Sequence, residues 1–183
     1  MYPYRTGSAN DLRRFFAGLT EYAFNTRLGV ADPALIEYLG QLLTRFLRSD
    51  AIFAVRNLTG RRLDGVADML AEAESRVGEA KRQVHRHIGD FTLFWTGVYP
   101  EALGRLQHGP KKDFFLDYCE QGKRAYYIAS TIPAPPDADA DGALLQRLSH
   151  DFELCVYGLG EVRRQWELRD GEAGPTGGPI MLE

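Results

Sequence analysis

The chain has 183 residues, with 22 lysines and arginines against 25 aspartates and glutamates and a formal net charge of −3. This balance excludes a bulk electrostatic attraction for nucleic acid, and a hydrophobic content of 44% excludes general disorder. No apolar run approaches the roughly 20 residues that span a bilayer. The N-terminal sequence lacks the basic and apolar regions of a secretory signal. We therefore expect one soluble domain in the cytoplasm, without membrane association.

Two amphipathic helices are predicted at the start of the chain. Ser8 and Asp11 form a capping-box-like start for the first helix. Apolar residues then follow at helical spacing: Leu12, Phe15, Phe16, Leu19 and Ala23. This helix is expected to end near Gly29, and Asp32 and Pro33 supply an N-cap and a first-turn proline for the second helix.

A short apolar element follows over Ala51 to Arg56. Its periodicity fits a helical turn or a buried strand equally well. Because a lone strand among helices would have no pairing partner, we favour the helix, followed by a turn at Thr59 and Gly60.

Apolar residues recur at alternating spacings of three and four from Leu63 to Val98. One continuous helix over this span would be roughly 50 Å long, so we expect a break at Gly78 or Gly89. The first part, from Leu63 to Val84, is rich in charge and alanine and has a narrow apolar seam. This pattern is typical of an exposed arm of a helical hairpin or of a coiled-coil dimer.

The second part, residues 84–98, has the densest aromatic content of the chain. One helical stripe contains Val84, Ile88, Phe91, Trp95 and Val98. Further apolar residues surround this stripe, and a helix that is apolar on most of its circumference must be enclosed by neighbours. We therefore predict an all-α fold, a single-domain bundle of about five main helices around the buried aromatic helix at 84–98.

Two histidines lie at the start of this aromatic helix. His85 and His87 point to opposite sides of a helix, so they cannot share one metal ion. His87 lies beside the apolar seam and three residues before Asp90, whose carboxylate is placed to hold the imidazole in one tautomer. The alternative interpretation is a histidine at the margin of the core, satisfied by Asp90 or by a backbone carbonyl.

Two further helices are predicted in the C-terminal half. The segment 111–131 carries a stripe of small residues in its second half, which indicates a close helix crossing, and the last helix runs from Gly142 to Trp166. The Pro-rich and acidic segment 133–142 connects them. We assign residues 1–168 to the helical domain and residues 169–183 to a flexible tail rich in Gly and Pro.

Neither the cysteines nor the acidic segment predicts a firm chemical site. Cys119 and Cys155 lie on or near apolar stripes and are interpreted as reduced core residues. Alternate aspartates over 137–142 resemble the opening of a calcium loop, but Leu148 stands where the bidentate glutamate is needed. We favour a solvated acidic loop, with a calcium site as the alternative.

No motif identifies a reaction, so catalytic residues are unknown and no cofactor or metal is predicted. The leading hypothesis is a non-catalytic interaction or regulatory module that binds a protein partner, namely itself as a homodimer, through the Leu63–Val84 arm. The second hypothesis is an enzyme or small-ligand protein with a site beside the aromatic helix. Its candidate ligand-binding residues are His87, Asp90, Tyr99, Lys123, Arg124 and Tyr127. A third hypothesis, which we rank as unlikely, is RNA binding by scattered basic clusters next to Tyr126 and Tyr127.

Overall fold

The aromatic segment of the chain forms the central helix of the fold, as the sequence predicted. The computed structural model describes residues 9–47, 49–52, 54–107 and 117–172. Helices account for nearly all regular structure in these ranges, and the single β-bridge found there joins Arg56 to Arg62. The predicted all-α fold is confirmed.

The N-terminal part consists of α1 (Ala9–Glu21), a π-helical segment (Tyr22–Arg27) and α2 (Pro33–Phe46). Asp32 accepts a hydrogen bond from the backbone N–H of Leu35 at 3.1 Å, so the predicted cap of α2 is confirmed. The regular part of the first helix ends earlier than predicted. The N–H of Leu28 bonds to the carbonyl of Ala23 at 3.1 Å, an i to i−5 bond that widens the last turns.

The next helix is α3 (Ser49–Ile52), and residues 54–56 are not helical. The helix expected over residues 51–56 is therefore wrong at 54–56. Leu63 donates its N–H to the carbonyl of Val55 at 3.0 Å, and Asn57 Oδ1 accepts from the N–H of Arg61 at 2.9 Å. Residues 55–63 thus form a small hairpin. The strand alternative lacked a pairing partner in the sequence analysis, but residues 61–63 are that partner.

The long seam is broken between α4 (Val66–Glu74) and α5 (Gly78–Val98). The break lies at the first of the two predicted glycines, since Gly78 has a φ of +56° that other residues rarely adopt. Gly89 stays inside α5. A Cβ at this position would lie 2.6 Å from ring atoms of Tyr126, so glycine permits the close approach of a neighbouring helix.

The segment between Leu63 and Val84 is not a free arm. Leu63, Val66, Ala73 and Val84 are buried, and α4 packs against α5. The apolar seam is therefore mostly covered within the chain itself. An exposed apolar side chain remains at the corner between the two helices, where Val77 is 83% exposed.

The C-terminal half contains a short 3₁₀ turn (Pro100–Ala102), α6 (Leu103–Gln107), α7 (Tyr118–Thr131), α8 (Gly142–His150) and α9 (Phe152–Glu172). Residues 111–116 of the helix predicted over 111–131 lie outside the described residues, as does the tail beyond 172. The last predicted helix is divided at Asp151, and α9 continues to Glu172, past the boundary expected at 168.

The helix α5 contacts α2, α4, α7 and α9. The predicted close crossing involves α5 and α7, because a Cβ at Gly122 of α7 would overlap Thr92 of α5. Five helices have 13 or more residues in the described part of the chain: α1, α2, α5, α7 and α9. The core around α5 is therefore closed on several sides, and any polar group on α5 must find its partner inside the protein or in a cavity.

Candidate functional site

A buried carboxylate joins three helices at the centre of the fold. Asp90 of α5 is 1% exposed. Its Oδ1 accepts hydrogen bonds from the hydroxyls of Tyr38 on α2, at 2.6 Å, and Tyr126 on α7, at 2.7 Å. Its Oδ2 accepts from Nη2 of Arg45 at 3.2 Å. These bonds satisfy a charge that would otherwise be costly to bury.

A second arginine completes this polar cluster from α5 itself. Arg86 lies one helical turn before Asp90, its side chain is 7% exposed, and its Nε donates to the hydroxyl of Tyr38 at 3.1 Å. Its guanidinium carbon lies 5.4 Å from the centre of the Tyr38 ring, and that of Arg45 lies 5.7 Å from it. Both cations therefore contact one aromatic ring. Asp139 approaches Arg86 Nη1 only to 3.7 Å and is 77% exposed.

The cluster sets two guanidiniums against one buried carboxylate, and the side chain of Arg45 is 38% exposed. Burial, reinforced by the charge of Asp90, raises the pKa of Tyr38 well above its usual value, so that its hydroxyl stays neutral. Burial by itself would lower the pKa of Arg86, but Tyr38 and Asp90 outweigh this effect and the pKa is raised. Two guanidiniums, those of Arg45 and Arg86, are thus balanced by one buried carboxylate. We call these five residues, Tyr38, Arg45, Arg86, Asp90 and Tyr126, the arginine cluster.

Three residues of the arginine cluster, Arg45, Arg86 and Asp90, line a cavity of about 620 Å³. The hairpin at 55–63, the last turn of α2, the first half of α5 and the loop before α8 supply its lining. The charged lining residues are Arg45, Arg56, Arg76, Arg86, Asp90 and Asp139. The apolar lining residues are Ala54, Val55, Leu58 and Val84. This combination of an apolar surface and a few convergent charges is typical of small-molecule sites.

His87 also lines the cavity, in the alternative arrangement that the sequence allowed, with a backbone carbonyl as its partner. Its Nε2 lies 2.9 Å from the carbonyl oxygen of Ile52. Because a carbonyl only accepts, Nε2 carries the proton and Nδ1 keeps its lone pair in the neutral ring. Burial lowers the pKa of His87, which keeps the ring neutral near pH 7. The expectation that Asp90 orients His87 is wrong, because Asp90 is bonded to two tyrosines and Arg45, and the backbone carbonyl is the actual partner.

The other four predicted site residues lie away from the cavity. Tyr99 is at the opposite end of α5, where the guanidinium carbon of Arg163 stands 5.0 Å from its ring centre. On α7, Lys123 forms an ion pair with Glu153 at 2.8 Å, and Tyr127 is 55% exposed. Arg124 is exposed on the same helix. Of the six candidates, the structure brings together only His87 and Asp90.

Sequence reasoning missed most of the arginine cluster, although weak signals were present. Tyr38 and Arg45 are two turns apart on α2, and Arg86 and Asp90 are one turn apart on α5, so each pair shares a helix face. The spacing of Arg86 and Asp90 is common for exposed ion pairs, and a tyrosine two turns from an arginine has no special meaning, so neither pair indicated a site. Tyr126 contacts Asp90, whereas its neighbour Tyr127, which the sequence analysis selected, faces solvent.

The acidic segment and the cysteines have structural roles in the described residues. Asp141 caps α8 by accepting from the N–H of Leu144 at 2.7 Å, and Asp139 faces Arg86, so their carboxylates do not converge. No group of three or more His, Cys, Asp or Glu suited to a metal ion occurs among residues 9–47, 49–52, 54–107 and 117–172. Both cysteines are free, and burial raises the pKa of Cys155 to about 12, which suppresses thiolate chemistry there.

Comparison with known proteins assigns no family. No family model, curated protein or solved structure matches the chain. None of the helices in the described ranges combines the length and apolar character needed to cross a membrane. The function must therefore be inferred from the site itself.

Proposed function

We propose that this protein binds a small organic anion in the cavity beside Arg45 and Arg86. The observation that carries the proposal is the charge of the arginine cluster, where two guanidiniums share one buried carboxylate at a cavity wall. A buried cation without a full counter-charge is costly unless a ligand or solvent compensates it. A planar guanidinium is also the side chain best suited to hold a carboxylate or phosphate.

The hydrogen bonds around Arg86 support this assignment. In the described part of the chain, its Nε bonds to Tyr38, while the approach of Asp139 to Nη1, at 3.7 Å, is too long for a hydrogen bond. The outer edge of the guanidinium is therefore available to an oxyanion. The stacking on Tyr38 holds the guanidinium plane in place, which reduces the entropy lost when a ligand binds.

The apolar residues of the cavity define the rest of the ligand. Val55, Leu58 and Val84 line the same space as the arginines, and the cavity volume of about 620 Å³ is in the usual range for small-molecule sites. We infer a ligand with an anionic group at the arginine cluster and an apolar body against the hairpin. The neutral imidazole of His87 offers a hydrogen-bond acceptor beside it.

The test is a calorimetric titration with probes of one shape and different charge. Benzoate and phenyl phosphate are the anionic probes, benzamide is neutral and benzylamine is cationic. The proposal expects saturable binding of the anions and none of the cation. Perturbation of the Arg86 Nε–H resonance by the anions, observed in ¹H–¹⁵N spectra, would locate the site.

Variants connect any binding to the arginine cluster. Arg86→Met leaves one guanidinium, Arg45, opposite one carboxylate, Asp90, so the folded state keeps a balanced pair. It is expected to abolish anion binding. Arg163→Met is the matched control, because Arg163 also stacks on a tyrosine but at the far end of α5. Equal binding by both variants, or binding of benzylamine by the unmodified protein, would refute the proposal.

The other two hypotheses from the sequence stay predictions with less support. Self-association through the segment 63–84 would have to use residues other than the seam, whose members are mostly buried within the chain. RNA binding would require free basic clusters, yet several basic residues are paired with carboxylates, such as Lys123 with Glu153 and Arg164 with Glu161. Sedimentation velocity over a range of concentrations and salt-dependent RNA titration test these two hypotheses.

A further inference from the structure

The cationic lining of the cavity is not confined to the arginine cluster. Arg56 reaches the same cavity from the hairpin, on another wall. Its Nη1 donates to the carbonyl of Gly60 at 2.9 Å, and within the described residues no carboxylate pairs with it. A backbone carbonyl carries no net charge, so none of the described residues directly neutralises the positive charge of Arg56, which is exposed to solvent.

The fourth lining arginine differs from Arg56 in this respect. Arg76 donates from Nε to Glu72 at 2.8 Å and forms an ion pair with it, so its charge is compensated behind the cavity wall. Arg76 also donates to the carbonyl of Arg56, at 2.6 Å, which joins the backbone of the hairpin to the connection between α4 and α5. Arg76 thus holds the hairpin wall of the cavity in place, whereas Arg56 contributes a positive charge to the cavity.

The cavity therefore presents two cationic positions that no described carboxylate balances fully at close range. One is the excess charge of Arg45 and Arg86 over Asp90, and the other is Arg56. Asp139 is the one further carboxylate in the described lining, and its solvated, 77% exposed side chain screens Arg86 only weakly. Two separate positive positions in one cavity are matched by a ligand with two negative charges.

We propose, on the basis of the function proposed above, that the ligand is a dianion, with one charge at Arg45 and Arg86 and the other compensated by Arg56. A phosphate monoester carries both charges on one group, since its second pKa is near 6. That group would lie at Arg45 and Arg86, and Arg56 would compensate its second charge from the hairpin. A dicarboxylate supplies them on two groups. Arg56 is then the residue that determines specificity for dianions over monoanions.

The experiment compares probes of nearly the same shape that differ by one charge. Phenyl phosphate is a dianion at pH 7.5, and phenyl sulfate is a monoanion. At fixed low ionic strength, phenyl phosphate is expected to bind about fivefold more tightly, the effect of one partly screened charge pair. Phthalate measured against benzoate tests the arrangement with two separate carboxylates, where a preference for phthalate supports the proposal.

The variant Arg56→Gln should reduce the preference for phenyl phosphate to less than about twofold, while binding of phenyl sulfate is largely kept. Arg62→Gln is the matched control. The backbone of Arg62 pairs with that of Arg56 in the hairpin, but Arg62 is not among the described residues that line the cavity. Equal affinities for the paired probes in the unmodified protein, or a preference that survives in Arg56→Gln, would overturn the dianion assignment alone. Absence of binding by every anion would overturn the proposed function as well.

Discussion

Replacing Asp90 by asparagine tests how strongly the arginine cluster holds the fold together. The substitution keeps the shape of the side chain but removes its negative charge. The Asp90 carboxylate accepts hydrogen bonds from Tyr38, Tyr126 and Arg45 at 2.6, 2.7 and 3.2 Å. The two guanidiniums of Arg45 and Arg86 then lie beside the cavity with no buried carboxylate. Removing one partner of a buried ion pair costs about 3 to 5 kcal/mol, and partial exposure of Arg45 favours the lower end of that range.

A loss of this size is large against the 5 to 15 kcal/mol by which domains are usually stable, and it corresponds to a decrease in Tm of roughly 6 to 20 °C for a chain of this length. Urea unfolding followed by circular dichroism at pH 7.5 measures it. Asp139→Asn is the control and is expected to cost less than about 1 kcal/mol, because that carboxylate is exposed. If Asp90→Asn costs no more than Asp139→Asn, the buried carboxylate does not stabilise the cluster as argued.

Two other predictions follow from the packing and titration of α5. Gly89→Ala should destabilise the protein by about 1 to 3 kcal/mol, since a Cβ there would lie 2.6 Å from the Tyr126 ring. Gly18→Ala is the control, because a Cβ there meets nothing within 4 Å, and it should stabilise the protein by about 0.5 to 1 kcal/mol. If urea unfolding shows that both substitutions stabilise, or that both destabilise, the close contact at Gly89 does not act as argued. Burial lowers the pKa of both His85 and His87, so the unfolded chain binds more protons than the folded protein below about pH 6.5. Stability should therefore be constant above that pH and fall on acidification to pH 5; an unchanged urea midpoint would show that the two rings are not held neutral.

The helices themselves could be predicted because their signals are local. Asp32 and Pro33 identify the start of α2 through one cap and one fixed φ angle, and the structure shows this cap. The stripe of apolar residues over 84–98 required enclosure by neighbours, and α5 is buried accordingly. Where two local alternatives had similar energies, the prediction was less accurate. The backbone of residues 55–57 pairs with residues 61–63, and the periodicity of the element itself carries no information on that partner.

The candidate site could be predicted only in part. His87 and Asp90 were selected because they are three residues apart on one helix, and both do line the cavity. Their chemical partners come from distant parts of the chain, since Asp90 bonds to Tyr38, 52 residues away, and to Tyr126, 36 residues away. No spacing rule within one helix relates such residues.

The sequence by itself determined that this chain is helical and that its aromatic middle segment lies in the interior, because periodicity and capping act over a few residues. Only the tertiary structure decided which polar groups meet there. The helix α7 packs closely on α5 at Gly89 and Gly122, and α2 also contacts α5. This packing brings two tyrosines and Arg45 to one buried carboxylate. The charge at the cavity wall comes from residues that are far apart in the chain. These residues come together only when the helices pack.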